Sequence, residues 1–165
     1  DLFGGFSTTL TWKGFELNAV FGYSIGGKIY NYSRQEYDSD GTYTDRNQMK
    51  LKDGWSRWEK PGDIATHPVA KYNNQDKGNS ASSRYLEDSD YLKLRSLTLG
   101  YNFKLPQWGI QNLRVFMNAE NLFTITDYSG VDPEIPASDG SVMGTAGPAV
   151  YPSVCKYMFG LNLTF

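Results

Sequence analysis

The strictest constraint on this chain is a period of two near its start. Phe6, Thr8, Leu10 and Trp12 share one face of an extended strand, and Ser7, Thr9 and Thr11 share the other. After Lys13-Gly14 the alternation resumes. Phe15, Leu17, Ala19, Phe21 and Tyr23 take one face; Glu16, Asn18, Val20, Gly22 and Ser24 take the opposite one. A two-residue turn at Lys13-Gly14 sets Trp12 against Phe15, Leu10 against Leu17, Thr8 against Ala19 and Phe6 against Phe21. The register from the turn then agrees with the register from the apolar face, as a hairpin requires.

The same pattern returns three times. Leu97, Leu99, Tyr101 and Phe103 alternate with Ser96, Thr98, Gly100 and Asn102. Leu113, Val115, Met117 and Ala119 alternate with Arg114, Phe116, Asn118 and Glu120, and Tyr157, Phe159, Leu161, Leu163 and Phe165 with Met158, Gly160, Asn162 and Thr164. Strands are therefore expected at about 4–13, 15–24, 91–104, 113–124 and 155–165, each long enough to cross a bilayer at a tilt. Lys13-Gly14 and the region after Pro106 are short connections. Residues of about 25–87 and 126–152 are long, polar ones, and a loop of the first length is expected to have a job of its own. Within it, Asp45 to Arg57 is expected to hold a short helix carrying Met49, Leu51 and Trp55, ahead of the breakers Pro61-Gly62 and Pro68.

Charge placement separates a membrane barrel from a soluble sandwich. Residues 31–95 hold 22 of the 34 charged residues, so the strands are nearly free of charge. The strand charges Glu16, Lys104, Arg114, Glu120 and Lys156 fall on the polar face; Lys93 and Arg95 share the apolar parity, at a loop end where long stems reach headgroups. The polar face is Thr, Ser, Asn and Gly, where a sandwich carries Lys and Glu. The reading is all-β: an antiparallel up-and-down transmembrane β-barrel pattern, with five strands in residues 1–165 and long extracellular loops. A soluble or surface β-sandwich carbohydrate-binding module is the alternative. Leu17, Phe21, Leu99, Tyr101, Leu161 and Leu163 are expected to face lipid, with Tyr23, Tyr157 and Trp12 in the aromatic girdles. A net charge of -2 argues against nucleic acid, and there is no apolar run long enough for a transmembrane helix. The chain begins at Asp1 with neither Met nor leader, and is expected to be processed or part of something longer.

No catalytic, cofactor or metal residue is expected. His67 is the only histidine and lacks zinc-site spacing; it is expected to lie solvated beside Pro68. Cys155 has no base near it in sequence. Asp38-Ser39-Asp40-Gly41 with Asp45 has part of a calcium-loop pattern but lacks the closing acidic residue, which leaves calcium binding open. Glu87, Asp88 and Asp90 read as loop charge. Trp55 and Trp58 are expected on one helical face, where they would pin the loop or contact a ligand or partner.

Longer motifs carry a resemblance. The run Arg84-Tyr85-Leu86-Glu87-Asp88-Ser89-Asp90-Tyr91-Leu92-Lys93-Leu94-Arg95-Ser96-Leu97-Thr98-Leu99-Gly100-Tyr101 resembles the C-terminal region of SusC/RagA-like TonB-dependent transporters of Bacteroidetes outer membranes. So do Asn121-Leu122-Phe123 with Tyr128-Ser129-Gly130-Val131-Asp132-Pro133-Glu134, Trp58 with Pro61-Gly62-Asp63, and the ending Phe159-Gly160-Leu161-Asn162-Leu163-Thr164-Phe165. The resemblance implies a plugged barrel of about 22 strands in the outer membrane of a Gram-negative bacterium, of which residues 1–165 would supply the last five strands. It implies a channel that imports glycan or peptide with a SusD-like surface lipoprotein, and that draws energy from TonB through a part of the protein outside this chain. It also implies that the barrel assembly machinery reads Phe165 as a terminal signal.

Overall fold

The computed structural model describes residues 1–45, 47–75, 77–134, 145–146 and 151–165. Along the chain run β1 (Leu2–Trp12), β2 (Phe15–Ile25), β3 (Lys28–Asn31), helix α1 (Tyr32–Asp38), β4 (Leu86–Asp88), β5 (Tyr91–Leu105), β6 (Ile110–Thr126), β7 (Thr145–Ala146) and β8 (Lys156–Thr164). They divide into two compact units: residues 1–27, 88–128 and 152–165, and residues 28–87 and 129–151.

The first unit is one sheet in the order β1-β2-β5-β6-β8. Every neighbour in it is antiparallel and follows in chain order, which makes an up-and-down meander. Trp12 pairs with Phe15, Leu10 with Leu17, Thr8 with Ala19 and Phe6 with Phe21, the register that the turn and the apolar pattern require together. Lys13 and Gly14 take φ of 46° and 93°, the doubly left-handed pair of a type I′ turn. The short connections, Lys13-Gly14 and the turn Pro106–Gly109, lie at one end of the sheet, and the long segments leave from the other.

The β5 strand changes its alternation partway. Opposite β2, Val20 pairs with Ser96 and Phe21 with Leu94, so Arg95 is an extra residue. Opposite β6, Glu120 pairs with Ser96 and Phe123 with Leu94, which places Asn121 and Leu122 against Arg95. Asn121 takes a left-handed φ of 52°, a region asparagine enters more readily than most residues, and its side chain donates to the Val154 carbonyl at 3.1 Å. A single extra residue reverses parity. Leu92 and Leu94 therefore join the apolar face, and Lys93 pairs with Gly22 on the polar one. The expectation that Lys93 and Arg95 share the apolar face is thus corrected: strict counting does not survive a bulge.

The second unit has a small sheet, β4-β3-β7, whose strands are two to four residues long. These are too short to form the second layer of a sandwich, which removes the alternative architecture. No helix of the described residues is long and apolar enough to cross a membrane. Helix formation occurs at α1, where the Asn31 side chain caps the Arg34 amide at 2.9 Å. Among the described residues of 45–57 the expected helix does not form; the segment turns at Asp53-Gly54, with Gly54 at a φ of 83°. After α1 the chain reverses at Gly41 (φ 85°), where an added Cβ would collide with the Lys71 backbone.

Candidate functional site

The five-stranded sheet presents two chemically opposite surfaces. On one, the row Leu10, Leu17, Leu99, Met117 and Phe159 crosses all five strands, with Trp12, Phe15, Tyr101, Val115 and Leu161 in the next row. Phe6 stacks on Phe21 at 4.8 Å, and Tyr101 meets Phe15 and Phe103 edge-on at 4.5 Å each. This surface is not a core. Leu99 is 41% exposed, Leu161 66% and Phe159 80%, while the sheet's buried apolar side chains are few and mostly small, such as Ala19 and Ala119. Leu17, Phe21, Tyr101 and Leu163 belong to the same surface.

The opposite surface is a hydrogen-bonded ladder. Asn18 donates to the Thr9 hydroxyl at 2.7 Å, and Asn118 to the hydroxyls of Thr98 and Ser96 at 2.9 and 3.2 Å. Gly100 leaves room for Arg114 to reach Glu16 across it, at 3.1–3.2 Å. Phe116, an apolar residue on this face, lies over Gly160 beneath the Arg114 guanidinium, which is 4.8 Å from its ring. The glycines of this face thus mark places where a larger neighbour lies flat.

The second unit is organised around buried charge. Asp38, Ser39, Asp40, Asn31 and His67 are buried, together with Ile29 and Tyr85. Asp38 accepts from Arg34 at 3.1 Å and approaches His67 Nε2 at 3.0 Å. Asp40 takes Arg57 at 2.5 Å and also Arg84. Arg34 further binds Glu87 at 3.2 Å and the Arg84 carbonyl at 3.0 Å, and lies 4.4 Å from the Trp55 ring centre. Burial acts to raise the Glu87 carboxyl, but the Ser129 hydroxyl and amide, with Arg34, outweigh it and hold it below the ordinary carboxylate range. Burial likewise opposes the Arg84 charge, yet Asp40 and the Tyr85 hydroxyl hold it above its ordinary value. Burial raises the Tyr85 hydroxyl in spite of Arg84.

This network answers several expectations. His67 is not solvated: it is 2% exposed, wedged between Asp38 and the Thr66 hydroxyl, with its ring 5.0 Å from Trp55. Asp38 and Asp40, left open to calcium by the sequence, are engaged by guanidinium groups, and no group of three or more potential ligands lies together among the described residues. Trp55 and Trp58 do not share a helical face. Trp55 packs into the network, while Trp58 is exposed and hydrogen-bonds through its backbone to His67. Glu87 and Asp90 part company: Glu87 joins the network and Asp90 accepts the Gly26 amide at 2.6 Å. Cys155 is a free, exposed thiol just before β8. Sequence reasoning missed Arg34, Arg57 and Arg84 as a set, because they meet from positions up to 50 residues apart.

No family model matches the chain. It is 30% identical over 173 residues to TonB-dependent receptor P3 of Formosa agariphila, covering all of this chain and 16% of the relative. TonB-dependent receptor P39 of the same organism is 29% identical, and TonB-dependent receptor SusC of Bacteroides thetaiotaomicron 24%, each again over the whole chain. Among solved structures, the RagAB peptide transporter matches 99% of this chain with a TM-score of 0.76 at 26% identity, and the open-open state of the RagAB peptide importer with 0.69 at 29%. These matches cover 17% of the solved chains, so the open sheet corresponds to part of a larger barrel. In sequence and in fold alike, the chain is similar along its whole length to TonB-dependent receptors of the SusC and RagA kind, and it spans about 16% of the curated relatives' length.

Proposed function

We propose that the chain is the C-terminal part of a TonB-dependent outer-membrane importer of nutrients, acting as channel partner to a SusD-like lipoprotein, with no catalytic role. The observation that carries the reading is a single-layer sheet with one exposed apolar face and one hydrogen-bonded polar face. In water such an apolar surface would demand a cover. In a barrel wall it meets lipid, and the polar ladder lines the interior. The sheet edges agree. β1 is eleven residues long, without Pro or charge, the kind of edge that soluble proteins avoid; in a closed barrel of about 22 strands it is paired.

In this reading Leu17, Phe21, Leu99, Tyr101, Leu161 and Leu163 touch lipid. The short turns face the periplasm. Residues 28–87 and 129–151 lie outside the cell, where Trp58 is available to a partner or cargo. TonB acts through the part of the protein outside this chain. The likeness to the RagAB peptide importer supports import and favours peptide as cargo, with glycan the other cargo class.

The test is parity-resolved lipid contact. In the full-length protein with Cys155→Ser, a fluorophore is attached at Leu161→Cys or at Asn162→Cys, in bilayers with a quencher on the acyl chains. Strong quenching at 161 and weak quenching at 162 is expected. Equal quenching, or the reverse, overturns the barrel reading.

A further inference from the structure

We infer that the short-turn end of the sheet's apolar face is a binding site for an anionic glycerophospholipid, with Lys13 and Lys104 taking its headgroup; this rests on the transport reading above, in which that end faces the periplasm. Two rows of side chains bound a groove of about 680 Å³ on the apolar face, Leu17 and Leu99 on one side and Phe15 and Tyr101 on the other. Glu16 and Gly100 pair between the rows and also line the groove. The Glu16 side chain points to the opposite face, where Arg114 holds it at 3.1 Å, so the floor here is strand backbone. Trp12 and Phe103 extend the lining towards the turns. A groove of this volume lies within the range of ligand sites, and its lining suits an acyl chain.

The rim selects the headgroup. Residues 12–15 and 102–112, the two short connections with their flanks, contain Lys13 and Lys104 and no Asp or Glu. Both lysines are exposed. Lys13 takes a φ of 46° in a type I′ turn, a position that favours Asn, Asp or Gly, so the turn itself does not call for lysine there. Its ammonium stands 5.1 Å from the ring centre of Trp12, which lines the groove. The turn is also fixed in place. The Asn102 amide donates to the Gly14 carbonyl at 2.8 Å, and Gly14 lies against the Tyr101 ring. Cation, aromatic rings and groove therefore form one constellation. Lysines at a membrane surface attract anionic headgroups, and aromatic rings settle at the same level. A zwitterionic lipid brings its own ammonium beside the two lysines and gains less. Lipid A belongs to the outer leaflet, which in the transport reading is the end of the long segments.

The test is native mass spectrometry of the full-length protein in mild detergent, with phosphatidylglycerol, phosphatidylethanolamine and lipid A added in equal amounts. Retention of phosphatidylglycerol over phosphatidylethanolamine by at least about fivefold is expected. Lys13→Gln with Lys104→Gln should bring the two to parity, and Lys13→Arg with Lys104→Arg should keep the preference. Trp12→Ala should weaken retention of both phospholipids, since it opens the groove. Lys156→Gln, at the other end of the sheet, should leave the preference unchanged; heat-modifiable migration checks that each variant is folded. Equal retention in wild type, a preference that survives the double Gln variant, an equal loss in Lys156→Gln, or lipid A retained above both phospholipids overturns the inference. Each of these leaves the transport reading standing, because acyl-chain quenching at positions 161 and 162 decides that reading independently.

Discussion

Arg34 ties several parts of its unit together: Asp38, Glu87, the Arg84 carbonyl and the Trp55 ring all meet it, and its side chain is 11% exposed. Removing one partner of a buried ion pair typically costs about 3–5 kcal/mol, because the remaining charge loses its compensation. Arg34→Met should therefore loosen residues 28–87 by that order, read as faster amide exchange there in the detergent-solubilised full-length protein, with β5 and β6 unchanged. Glu87 adds a pH dependence. Its folded carboxyl titrates below the ordinary value of 4.5, so its stabilisation is fully present above that value and is lost as pH falls through the lowered one. Protection of the unit, meaning exchange relative to the intrinsic rate at each pH, should fall on acidification below about pH 4.5, and Glu87→Gln should shrink the acid-dependent part. Exchange that keeps the same acid dependence in Glu87→Gln would mean that other carboxylates set it.

At the scale of elements, the sequence is informative where the determinant is local. Lys13-Gly14 and its flanking residues fix a hairpin within a dozen positions, so its register was readable. The β5 bulge was not, because the extra residue is defined only against partners in β2 and β6, and the parity of Lys93 went with it. His67 was misread for the same reason: Asp38, which buries it, lies 29 residues away. Hydrophobic spacing favours a helix at 45–57, whereas the cap at Asn31 and the turn at Gly41 set it at Tyr32–Asp38. Parity also gives the sharpest mutational contrast. Leu99→Arg puts a charge on the apolar surface and should cost about 2–4 kcal/mol if that surface meets mid-membrane lipid. Thr98→Arg, one residue away on the polar ladder, should cost much less. Denaturant unfolding of the full-length protein in bilayers compares them, and equal costs would mean that the two faces are not lipid and lumen.

For the whole molecule, the division into two units makes the long insertion separable in principle. The sheet takes all its strands from residues outside 28–87, and neither of its two short turns belongs to that segment. The insertion's entry and exit are already adjacent, since the Ser89 amide donates to the Gly27 carbonyl at 3.0 Å. A short Gly-Ser turn can replace residues 28–87 without stretching β2 or β5. The sheet keeps its ladder, and residues 129–151 lose the partners they have in their own unit, such as Glu87 on Ser129. Loops of this length are retained for a function rather than for connection. The excised protein should therefore reach the outer membrane at near wild-type level, measured by fractionation and heat-modifiable migration. Nutrient import, or co-purification of the surface lipoprotein, should fall severely. Loss of membrane insertion would show that the sheet depends on the insertion to fold. Import and co-purification that both survive would assign partner and cargo contacts to other loops, leaving the ion network of Arg34, Asp38, Asp40, Arg57 and Arg84 as the scaffold of a cover.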